Sequence, residues 1–84
     1  MSRPYQPAFS EQALEALLEA DRAQRAVVRA AVLRLCRTPG QTGDYCVLDD
    51  TGRPLKVVLI DGAVITFWAD HAVRELRVAL IEFP

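Results

Sequence analysis

The chain has 84 residues, about half of them hydrophobic and a quarter charged, with a formal net charge of −1. That length makes one domain, read here as residues 1–84, and the balance excludes a disordered chain and any global pull toward nucleic acid or membrane. No apolar run approaches the ~20 residues of a bilayer span, and MSRPYQPAFS lacks the apolar core of a secretion signal, so a cytoplasmic protein with no membrane partner is expected.

Residues 3–9 predict a short extended strand. Pro4 and Pro7 each remove a backbone donor, which restricts it to a sheet edge. Ser10 is placed to cap a helix over 11–20, with Leu14, Leu17 and Leu18 as its apolar stripe and Glu11, Glu15 and Glu19 as an acidic one. Asp21 with Gln24 forms a capping-box pattern and opens a second helix over 22–37. Its core positions are Val28, Ala31, Val32 and Leu35, with Val27 at the margin, and its other side carries a basic patch of Arg22, Arg25, Arg29 and Arg37. An acidic helix joined directly to a basic one reads plainly as a helical hairpin with cross-helix ion pairs. It also reads as an arginine patch for phosphates or an acidic partner.

Pro39-Gly40 ends the helix, and the pattern then changes to strands. They are expected over 45–49, 55–60, 63–69 and 76–83, with Asp61-Gly62 as a two-residue hairpin turn. The expected class is α+β: a short N-terminal strand and a helical hairpin packed on one face of a twisted antiparallel sheet.

The Asp61-Gly62 turn sets a register and so sets two faces. Val58, Ile60, Ala63, Ile65, Phe67, Leu76, Val78 and Leu80 make the bed for the helices, with Lys56 and Glu82 at its ends. The other face reads Leu55, Val57, Leu59, Val64, Thr66, Trp68, Arg77, Ala79, Ile81 and Phe83. It is almost wholly apolar, although an antiparallel meander normally leaves one face wet. Leu55, Val57, Leu59, Val64, Trp68, Arg77, Ile81 and Phe83 are therefore candidate partner-binding residues, with Trp68 stacked against Arg77 across the strands.

Other chemistry is sparse. Cys36, Cys46 and the single His71 have neither CxxC nor HxxxH spacing, so no metal or other cofactor is expected. His71 beside Asp70, with Arg74 and Arg77 nearby in sequence, is a weak catalytic candidate set. A loop-shaping histidine is the alternative. Asp49 and Asp50 read as turn initiators.

Four segments carry a family likeness: FSEQALEAL at 9–17, DRAQRAVVRAAVLRLCRTPGQTGDY at 21–45, GRPLKVVLIDGAVITFWAD at 52–70 and RELRVALIE at 74–82. Together they resemble the RelE/ParE toxin superfamily of bacterial toxin–antitoxin systems. The resemblance implies the order strand, helix, helix, antiparallel meander. Its partner would be a cognate antitoxin, or a second copy of the chain on the open sheet face. Its target would be DNA gyrase or the ribosome, without direct sequence-specific DNA binding. The ribosome-dependent mRNA interferases of this superfamily place arginines on the open hairpin face, where this chain has Val57, Leu59 and Val64. It also ends Glu82-Phe83-Pro84, without a terminal basic–aromatic pair. It therefore looks closer to the ParE-like branch, acting by protein binding. An RNase using His71, Arg74 and Arg77, or a homodimeric module without toxin activity, are the alternatives.

Overall fold

The computed structural model describes residues 3–84. Their elements are β1 (Gln6–Phe9), α1 (Glu11–Glu19), α2 (Arg22–Arg37), β2 (Tyr45–Leu48), β3 (Pro54–Ile60), β4 (Ala63–Asp70) and β5 (Glu75–Glu82). They form one sheet in the order β1-β5-β4-β3-β2. The meander β2 to β5 is antiparallel, while β1 runs parallel to β5. The sheet is therefore mixed, because the two-helix crossover returns the chain to the far edge. Among the described residues, no helix is long and apolar enough to cross a membrane.

Local signals hold both helices in place. The Ser10 hydroxyl accepts the Ala13 N–H at 3.0 Å. Asp21 and Gln24 make a reciprocal capping box, at 2.8 and 2.9 Å. Each cap satisfies donors that the first helical turn leaves free. Asp61 and Gly62 both have positive φ, as the expected two-residue turn requires.

Helix α1 does not pack as its leucines predict. Leu14 and Leu18 are exposed, while Ala13 and Ala20 are buried, with Ala16 and Leu17 packed against the core. The positions 13, 16, 17 and 20 follow helical spacing just as well. Three alanines let α1 lie close to β5, which turns the bulkier leucines outward. The core joins Val28, Ala31, Val32 and Leu35 of α2 to Val58, Ile65, Phe67, Leu76, Val78 and Ile81 of the sheet.

The β3–β4 register is the one expected, from Ile60 opposite Ala63 to Lys56 opposite Phe67. The β4–β5 register starts as expected, with Trp68 opposite Arg77 and Phe67 opposite Val78. It then slips, so that Thr66 faces Leu80 and Ile65 faces Ile81. Ala79 is the extra residue of a β-bulge. This corrects the end of both faces: Leu80 moves to the open side, while Ile81 and Phe83 turn to the helix side and pack with the core. The cause lies where β1 stops. Beyond Phe9, the edge of β5 has no neighbouring strand, and α1 takes its place. Ser10 Oγ donates to the Ala79 carbonyl at 2.7 Å. The Gln12 amide donates to the Ile81 carbonyl at 3.3 Å and accepts the Ile81 N–H at 3.2 Å. A side-chain amide thus completes the ladder for one residue.

Candidate functional site

Two surfaces carry exposed apolar groups beside cations. The first is the open face of the sheet. Leu55, Val57 and Thr66 lie on it but are buried by the sheet's own neighbours, which corrects the expectation that the whole face is bare. Val57 lies between its pairing partners Tyr45 and Thr66, and Leu55 is paired with Val47. Gly43 has φ +75, and a Cβ there would sit 2.8 Å from the Val57 carbonyl oxygen, so only glycine lets the loop press this close. What remains accessible is Tyr45, Val47 and Leu59, the last 54% exposed, with Val64, Trp68 and Leu80 half-buried.

Trp68 sits under two guanidinium groups. The Arg53 Cζ lies 4.1 Å from the ring centroid and that of Arg77 5.5 Å. The sequence pattern pointed to Arg77 and missed Arg53, which read as part of a turn before Pro54. Alternation along β3, which puts residue 53 on the side of Leu55 and Val57, was the signal available. Arg77 is also tied to Glu75 at 2.9 Å and Asp70 at 3.5 Å.

The catalytic candidates divide between two places. His71 is exposed in the β4–β5 turn, its Nδ1 2.7 Å from the Tyr5 hydroxyl. The Arg74 guanidinium lies 5.0 Å from the Tyr5 ring and donates to the Arg3 carbonyl at 2.7 Å. This cluster ties the N-terminal segment to the last turn. Arg77 belongs instead to the tryptophan stack on the sheet. On the central hairpin Leu59 pairs with Val64, and Val57 is buried. Among the described residues, no group of three or more histidine, cysteine, aspartate or glutamate side chains is placed to hold a metal ion. Cys36 is buried, and burial pushes its thiol pKa up.

The second surface lies on the helix side. A groove of about 380 Å³ runs between β1, α1 and α2, floored by Phe9, Leu17, Val28 and Val32 and rimmed by Arg25, Arg29 and Leu33. Leu33 and Phe9 are 45% and 38% exposed. The cross-helix ion pairs expected here do not form: among the described residues the salt bridges belong to Arg77. Turning α1 to seat its alanines leaves the glutamates unpaired with α2. Arg22, Arg25, Arg29, Arg34 and Arg37 are all exposed. The groove thus combines apolar depth with an unneutralised basic rim.

No protein-family model matches the sequence, and no curated protein matches it. The fold does have a solved counterpart. A chain of the toxin–antitoxin complex RelBE2 from Mycobacterium tuberculosis superposes with a TM-score of 0.77, covering 98% of this chain and 100% of that one at 18% identity. The chain therefore has a RelE-like fold over its whole described length.

Proposed function

We propose that this protein is the toxin-type subunit of a toxin–antitoxin pair and acts by binding other proteins. The observation that supports this is the end-to-end likeness to a chain of the RelBE2 toxin–antitoxin complex. The groove between α1, α2 and β1 fits an amphipathic antitoxin helix whose polar side is acidic. Phe9, Leu17 and Leu33 would take its apolar side, and Arg25 and Arg29 its carboxylates. Leu59, Val64 and Trp68 on the sheet remain available to an extended stretch of the same partner, or to the cellular target, DNA gyrase or the ribosome. An RNase reading has less support, because the positions of the family's hairpin arginines are apolar here and His71 lies apart from the Trp68 stack.

Expression of the chain alone in a bacterial host should slow growth, and co-expression of the small protein encoded beside it should restore growth. Capture of that protein should weaken tenfold or more for Leu33→Glu or for the double variant Arg25→Glu/Arg29→Glu, as loss of an interface anchor does. A chain that neither slows growth nor captures its neighbour's product would refute the assignment. Cleavage of ribosome-bound mRNA that His71→Ala abolishes would replace it with the RNase reading.

A further inference from the structure

Charge sets α2 apart from the rest of the chain. Its 16 residues hold five arginines and no carboxylate, while the other residues hold five cations and eleven carboxylates. Like charges three or four residues apart, as in Arg22–Arg25, Arg25–Arg29 and Arg34–Arg37, weaken a helix. Arg22 and Arg25 also lie in the first turn, where the helix dipole disfavours cations. Nothing among the described residues relieves this stripe. Both salt bridges belong to Arg77. Glu15 and Glu19 of α1 line a separate hollow with Ile81 and Phe83. A face that strains its own helix and finds no carboxylate in its own chain points to an anion outside it.

The arrangement of the arginines says which kind. At about 100° per residue, Arg22, Arg25 and Arg29 run down one flank of the outer face, and Arg34 and Arg37 lie on the other. Ala23, Ala26, Ala30 and Leu33 fill the rest of that face, and all nine residues are exposed. From Arg22 to Arg37 the cations span about 22 Å of helix axis. A groove separates α2 from α1, so the helix stands as a ridge. A helix with its side chains is about 10–12 Å across, and the major groove of B-form DNA is about 12 Å wide. Set obliquely in that groove, the N-terminal half of α2 gives its arginines to one phosphate strand and the C-terminal half to the other. The alanines let the backbone approach closely.

We propose that the outer face of α2 binds duplex DNA through its phosphates, without sequence preference. Guanidinium forks match phosphate oxygens in pairs. No asparagine, glutamine, aspartate or glutamate lies on this face to tell one base pair from another. The deep, narrow major groove of an RNA duplex does not admit a helix. An acidic protein would call for a large anchoring side chain at the centre of the contact, where α2 has Ala26 and Ala30. Arg25, Arg29 and Leu33 also border the groove between α1, α2 and β1, so DNA and a helix seated there exclude one another. The proposal does not rest on the assignment of that groove to an antitoxin, because the chain alone carries the whole stripe.

Fluorescence anisotropy of a labelled mixed-sequence DNA duplex, titrated with the full chain, tests it. The logarithm of the binding constant should fall with the logarithm of salt concentration at a slope of about −4.5, or about −0.9 for each arginine. Affinity should therefore drop about 500-fold between about 50 and about 200 mM salt. Arg34→Ala/Arg37→Ala, outside the groove, should bring the slope to about −2.7. Both positions are exposed and alanine favours helix, so the double variant keeps its fold. An RNA duplex of the same sequence should bind at least about tenfold more weakly. Absence of DNA binding at about 50 mM salt, or a slope that the double variant leaves unchanged, overturns the proposal. Equal affinity for the RNA duplex overturns the major-groove geometry. Polyglutamate bound as tightly as DNA would assign the face to an acidic protein instead.

Discussion

The helix side and the open side of the sheet contain similar residues and have different fates. On the helix side Phe67, Ile65, Leu76, Val78 and Ile81 are almost wholly buried. On the open side Leu55, Val57 and Thr66 are as well buried, but Tyr45, Leu59 and Trp68 remain in contact with solvent. Two helices cover the centre of one side and leave Cys46 and Leu48 exposed at its β2 edge. The other is covered only by its own larger side chains, which take the exposure themselves. Hydrophobicity therefore does not mark which residues build the core and which are left for a partner; position relative to the helices does.

The sharpest way to break this comparison is to cut into each side in turn. Phe67→Ala should cost about 3–5 kcal/mol in urea unfolding, as large aromatic deletions in closed cores do. A loss near that of a surface site would mean the helix side is not closed. Gln12→Ala should cost about 1–3 kcal/mol, because it strips the half-buried Ile81 backbone of both its partners. The same variant should speed hydrogen exchange at the Ile81 amide, and an unchanged rate would show that the bulge holds itself. Leu59→Ser should change stability by no more than about 0.5 kcal/mol, since an exposed side chain has little to lose.

The smallest effect should come from Asp49. Hydrogen bonds from the Thr51 hydroxyl and then the Arg53 N–H hold its carboxyl below the ordinary aspartate range. A pKa lowered by folding stabilises the protein at pH values above the unfolded value of about 3.9, and that contribution is lost as pH falls through the folded value. The difference in urea midpoint between wild type and Asp49→Asn should therefore be present at pH 7 and shrink below pH 4. A difference that grows on acidification would reverse the sign. Asp49 lies in a surface turn and is only partly covered, so salt should reduce the effect.

Much of the architecture was legible beforehand because its signals are local. Ser10, the Asp21–Gln24 box and Asp61-Gly62 act within a few residues of themselves, and they set where the helices begin and how β3 meets β4. The α1 stripe was misread because Leu14 and Ala13 are both consistent with helical spacing, and only packing against β5 chooses between them. The slip at Ala79 was invisible for a related reason. It depends on β1 ending at Phe9 and on Gln12 reaching Ile81, residues 69 apart in sequence. The same limit hid the groove, which is assembled from β1, α1 and α2; Arg53 beside Trp68 was missed although β3 alternation carried its signal.

By itself, then, the sequence determined the element order, the helix caps, the central hairpin register and an excess of apolar residues over what two helices can cover. Tertiary structure decided which leucines face solvent, that Ile81 and Phe83 belong to the core, and that the α2 arginines are left without carboxylate partners among the described residues. Caps and tight turns are settled by hydrogen bonds a few residues long. Burial and ion pairing depend on distances between elements, which exist only once the chain has closed.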